Sequence, residues 1–230
     1  MAEQSNEKII KLLQEKVLLK QDVIENTKVV FNTFKEILSK ISAELKSSTG
    51  KISKDVIANY KDTGENEAEF TLADETLLFV IHTNIFTFDK THEVWKTKYV
   101  QQDSKRAFCG KIFIYNFLSD SFLYNRINDV GYLIARIFIN KERHYFVEGK
   151  KQFENLFNDF ENIKLDTENI RKIIETALLY SLDFDPFTPP FDSVPEISVK
   201  EVLESGIQSR IATGKRLGFQ FERERKDREV

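Results

Sequence analysis

The side chains able to do metal, nucleophilic or acid–base chemistry are few, and their spacing assembles no recognised site. The chain has three His, His82, His92 and His144, and one Cys, Cys109. A zinc site needs several such ligands converging, and no two of these stand at a metal-ligand spacing. Cys109 lies between Phe108 and Gly110 in an apolar run, the setting of a small core residue and not of an activated thiolate. Thr213-Gly214-Lys215-Arg216 contains the Gly-Lys pair of a phosphate loop. However, Ser209 stands where that loop has its first glycine, and Arg216 where it has a hydroxyl for the metal ion. Neither GxSxG nor GxGxxG occurs.

Carboxylates are plentiful and unspecific. Asp183 and Asp185 precede Pro186 and could bind a divalent ion, and Glu93 with Lys96 and Lys98 on one predicted strand weakly suggests a nuclease core. Charged edge strands and Asp-rich loops carry the same residues without chemistry. Lys105, Arg106, Lys111, Arg126, Arg136, Lys141, Arg143, Lys150 and Lys151 are interleaved with Tyr115, Tyr124, Tyr132 and Tyr145, a mixture that can stack on single-stranded nucleic acid. The formal net charge of -3 argues against nucleic acid as the main partner. The expectation is a non-enzymatic protein, with no catalytic residues, no metal and no cofactor.

The elements that would position any site are easier to read. From Glu7 to Leu45, Ile10, Val17, Ile24, Phe31, Leu38 and Leu45 recur every seventh residue, with Leu13, Phe34 and Ile41 three positions on and no Gly or Pro between them. This is a long helix with a continuous apolar seam. Ile9, Val23, Val30 and Ile37 widen the stripe, whereas Lys20 and Thr27 interrupt its companion positions. The face suits a sheet or a bundle better than a two-stranded zipper. At 1.5 Å per residue the helix is on the order of 55 Å long, so part of it should overhang its own domain. Ser47 to Gly50 end it, and Tyr60 to Ala68 reads as a turn or exposed loop.

Residues 69–73, 77–88, 92–102, 106–118, 130–140 and 143–148 are runs rich in Ile, Val, Phe, Tyr and Thr between short polar turns. They predict an antiparallel meander of five to six strands, since the connections are too short for crossover helices. Apolar residues on both parities in 112–117 and 132–139 predict central strands covered on both faces, the long helix on one and later helices on the other. Helical stripes return at Phe153, Leu156, Phe157 and Phe160 and at Ile170, Ile173, Ile174, Ala177 and Leu178. The fold class is therefore α+β. The expected divisions are a helix over 1–50, a sheet closed by helices over 51–182, and an arm, short helix and terminal strand or tail over 183–230.

All four Pro lie between Pro186 and Pro195, interleaved with Phe184, Phe187 and Phe191. Proline lowers the entropy lost on docking and Phe supplies apolar anchors, so the segment reads as an extended arm, either a long loop whose Phe side chains pack back onto their own domain or an arm that docks on another subunit. Ser198 and Glu201 have capping-box spacing for a short helix, and Leu217, Phe219 and Phe221 alternate with polar residues as a terminal strand able to complete its own sheet or add to a neighbour's. These six apolar residues are the expected partner contacts.

With 230 residues, 41% hydrophobic and 31% charged, the chain can bury a large core without disulfide staples. Charge alternates in blocks: residues 105–151 carry nine Lys/Arg against four acids, 152–209 four against twelve, and the last 21 seven against four. Such patches can pair within a subunit or between subunits. Met1 to Gln14 is polar where a signal peptide would be apolar, and no run is long enough to span a bilayer. The chain is expected to be cytoplasmic, or assembled into a particle made there, without a membrane partner.

A long helix leading into an antiparallel sheet closed by helices is loosely similar in architecture to ligand-sensing domains of the PAS or GAF type. That resemblance implies a dimeric small-ligand module as the alternative reading. The leading expectation is a structural or adaptor subunit of a multi-subunit assembly, such as a connector or ring component of a viral particle or secretion machine. It would associate with itself or with other proteins through its helix, arm and C-terminus.

Overall fold

The computed structural model describes residues 2–49, 57–150, 153 and 159–183. The architecture is α+β, with a 48-residue helix α1 (Ala2–Thr49) laid on a six-stranded antiparallel sheet in the order β1-β2-β3-β4-β5-β6. The strands are β1 (Ala58–Gly64), β2 (Glu67–Leu72), β3 (Glu75–Ile81), β4 (Cys109–Leu118), β5 (Tyr132–Asn140) and β6 (Tyr145–Gly149). Short helices α2 (Lys98–Gln102) and α3 (Ser119–Leu123) lie in the connections, and α4 (Thr167–Leu182) closes the described core. Each strand pairs with its sequence neighbour, as expected of a meander.

The alternation of side chains along each strand divides the sheet into two unlike faces. Phe70, Leu77, Phe79, Ile112, Ile114, Ile137, Val147 and Tyr145 point to one face, where they pack with Val30, Phe31, Phe34, Ile37, Leu38 and Ile41 of α1. Ile170, Ile173, Ile174, Ala177 and Leu178 of α4 join the same cluster. The expectation that later helices cover the opposite face is therefore corrected: α4 lies beside α1, tied to it by Arg171, which donates to both carboxylate oxygens of Glu44. Asp166 caps α4 by accepting from the Asn169 amide at 2.8 Å.

The outer face is covered at one end by a smaller apolar cluster of Val94, Val100, Ala107, Cys109, Phe138, Phe146 and Phe160. Residues 92–102, expected as a strand, supply part of this cover as a one-turn 3-10 helix over 93–96 followed by α2. The reason is a relay of caps. His92 accepts from the Val94 amide, Thr97 from Val100 and Asp103 from Lys105, and these local bonds outcompete the β preference of Val, Trp and Tyr.

The expected loop at Tyr60 to Ala68 is instead β1, the turn and the start of β2. Its polar composition is that of an edge strand, with Lys61 opposite Glu69 and an irregularity between Asp62 and Gly64. Charged side chains and bulges are how edges avoid pairing with other chains.

Thr27, expected to interrupt the apolar stripe, is fully inside it, its Oγ1 donating to the Val23 carbonyl at 2.7 Å. Here the helix crosses β4 at Gly110, where a Cβ would lie 3.0 Å from Thr27 Cβ and closer still to its Oγ1. Gly110→Ala is therefore expected to cost about 1–3 kcal/mol by overpacking, and Thr27→Ala in the same chain to restore most of it. Urea unfolding of the two variants checks this; an unchanged midpoint for Gly110→Ala would show that the helix does not sit this close.

Candidate assembly interface

Two halves of α1 have opposite environments. From Leu19 onward most of its apolar side chains enter the core, beginning with Leu19 and Val23. Asn26 donates to the Lys141 carbonyl and accepts from Arg143 Nε, and Lys20 reaches Asn84. Before Lys20, no hydrogen bond or ion pair joins the described residues of α1 to the rest of the fold. Yet Ile9, Ile10, Leu12, Leu13, Val17 and Leu18 all lie there, each between 49% and 60% exposed. Fully burying one such side chain is worth roughly 1.5–3 kcal/mol, so covering the exposed halves of all six offers on the order of 4–9 kcal/mol. Ile9, Leu12 and Leu13 continue the buried stripe at helical spacing, and Ile10 and Val17 widen it.

Ile10, Leu13 and Val17 are legible in the sequence as heptad positions, and Ile9 as their flank. Leu12 and Leu18 fall outside the heptad, and only exposure reveals them. A second apolar patch, missed in the sequence, surrounds α3: Phe122, Leu123, Tyr124, Ile127 and Val130 are exposed, Ile127 by 83%. Its one signal is apolar residues among turn-formers at Asn125, Asn128 and Asp129. Phe184, Phe187, Phe191, Leu217, Phe219 and Phe221, the expected partner contacts, lie outside the described residues, as does Asp185.

The polar groups are mostly committed to holding the fold. Arg106 donates to Glu142 at 3.0 Å and to the Tyr99 carbonyl at 2.9 Å, with its guanidinium 4.2 Å over the Tyr99 ring. Tyr99 donates its hydroxyl proton to Glu142 and accepts from Asn140, both at 2.9 Å, and its ring stacks on His144 at 4.5 Å. His144 Nδ1 bonds the Phe160 carbonyl at 3.0 Å. Burial above all pushes the Tyr99 hydroxyl far above its ordinary range. Burial alone also raises the thiol of Cys109, which is wholly enclosed, so it stays protonated.

Among the described residues, four of the basic side chains in the block 105–151 pair with acids of the same chain. Arg106 pairs with Glu142, Arg126 with Asp120 and Asp129, Arg136 with Glu148 and Lys141 with Asp103. Lys111 lies 3.2 Å over the Phe86 ring. Tyr145 points into the inner core, whereas Tyr115 stacks with Phe113 on the outer face, so the tyrosines form no single stacking platform. Glu93 and Lys96, expected on a strand, pair at 2.6 Å on the exposed 3-10 turn.

Among the described residues no group of three or more His, Cys, Asp or Glu could hold a metal ion, and no helix is long and apolar enough to cross a membrane. A cleft of about 190 Å³ lies beside α1, between Ile24, Thr27 and Lys28 on one wall and Asn66, His82 and Thr83 on the other. Small-molecule sites typically run to roughly 300–1,000 Å³. No family model, curated protein or solved structure matches the chain.

Acid should act through the lock around Tyr99. Burial works to raise Glu142, but hydrogen bonds from Arg106 and Tyr99 outweigh it and hold the carboxyl below its ordinary 4.5. Lys141 chiefly holds Asp103 below 3.8. A carboxylate with a lowered folded pKa contributes stability that is complete above its unfolded value and is lost as pH falls through the folded one. Stability should therefore decline below about pH 4.5, and Glu142→Gln should flatten that decline. Equal slopes in denaturant titrations of the two proteins would show that the lock is not the acid-sensitive element.

Proposed function

We propose that the protein is a non-enzymatic structural or adaptor subunit of a multi-subunit assembly, with the free half of α1 as its coupling element. The observation that carries this is the row of six large, half-exposed apolar side chains from Ile9 to Leu18, presented on a helix whose other half is fixed in a core. Exposed apolar surface of this kind, borne on a rigid element, marks a contact with another macromolecule. A formal net charge of -3 and the pairing of Arg106, Arg126, Arg136 and Lys141 with acids of the same chain support recognition by shape and apolar burial over recognition of a polyanion. Among the described residues, the alternative reading as a small-ligand sensor would draw on the narrow cleft beside Thr27.

In native extracts of the cells that make it, the wild-type chain should run in a species heavier than its own 26.9 kDa. A variant carrying Leu12→Glu, Leu13→Glu and Val17→Glu should run at monomer size and keep its melting temperature, because all three side chains project into solvent. A wild-type chain migrating as a 26.9 kDa monomer in that extract would contradict the assembly role.

A further inference from the structure

We infer that the occupant of the free half of α1 is the same segment of a second copy, laid antiparallel across it; this rests on the assembly role proposed above. Residues 2–18 carry three acids, Glu3, Glu7 and Glu15, and three lysines, Lys8, Lys11 and Lys16. The segment is electrically neutral, so it neither repels its own copy nor selects a highly charged partner. Each copy brings the same exposed apolar residues, of which Ile9, Ile10, Leu12, Leu13 and Val17 share one side of the helix, so one self-complementary contact covers that side twice while association is entered once. No helix needs to be nucleated, because the segment continues a helix that the core already holds.

Orientation follows from two lysines. Lys16 and Lys20 interrupt the face that continues the buried stripe, Lys16 between Leu12 or Leu13 and Leu19, and Lys20 between Leu13 and Val23, at helical spacing. A parallel pair would set each lysine against its own counterpart, an arrangement of like charges at the seam. An antiparallel pair crossing between Leu12 and Leu13 sets Lys16 opposite Ile9 and Lys20 opposite Ser5, so that neither lysine faces its counterpart. It also brings the tip of each helix to the shoulder of the other copy's folded domain, where Lys20 reaches Asn84.

The test uses the purified full-length chain. Sedimentation equilibrium at about 100 μM should give twice the chain mass of 26.9 kDa, and Leu13→Glu should return it to one chain mass with an unchanged melting temperature. Chains carrying Ser5→Cys mixed with chains carrying Lys20→Cys should form the mixed disulfide in preference to either symmetric one, since native Cys109 is enclosed and does not compete. A dimer that survives Leu13→Glu, or symmetric Ser5→Cys linkage in preference to mixed, overturns the inference. A purified chain that stays monomeric overturns it too, and leaves the assembly role standing if the chain in native extract still runs in a larger species.

Discussion

Everything in this molecule depends on how the second half of α1 lies in the trough of the sheet. Phe31, Phe34, Leu38 and Ile41 are buried against Phe70, Phe79 and Ile112, and the glycine at 110 lets Thr27 come down onto β4. Truncating a buried Phe in such a core typically costs about 3–5 kcal/mol, so this contact is a large part of any small domain's stability. Because α1 is one uninterrupted helix, fixing its second half also fixes the direction of its first. The free half gains helical order that an isolated peptide of its length would not have in water.

The opposite face is organised by polar contacts. The relay of caps from His92 to Asp103 folds the β3–β4 connection into short helices. Arg106, Tyr99, Glu142 and Asn140 then clamp that connection to the β5–β6 hairpin. The result is a domain whose buried polar groups serve positioning, and whose conspicuous unanswered surface is apolar. The larger such surfaces among the described residues are the free half of α1 and the corner around α3, and of these two the first extends a face already used for burial.

The heptad of α1, the meander and the stripe of α4 were legible because each is a periodic pattern of apolar residues with one dominant cause. β1 was not, since an edge strand with polar side chains such as Lys61 and Asp62 has the composition of a loop, and only its pairing to β2 distinguishes them. Residues 92–102 failed for the opposite reason: their β-favouring side chains are overruled by the hydrogen bonds that the Val94 and Val100 amides donate to His92 and Thr97. That the helix would outrun its domain could be read from its length. Which end is free could not, because Ile10 and Phe31 occupy equivalent heptad positions and differ only in what the sheet reaches.

The most direct test of this account is a distance along α1. Spin labels at Lys8→Cys and Lys40→Cys, both exposed positions, with the labelled chain diluted into unlabelled protein, report whether the free and docked halves form one rod. A rise of 1.5 Å per residue predicts a single narrow distribution near about 48 Å. A broad distribution, or one centred below about 35 Å, would mean that the first half frays or folds back, and that the docked core does not hold an apolar helix out for a partner.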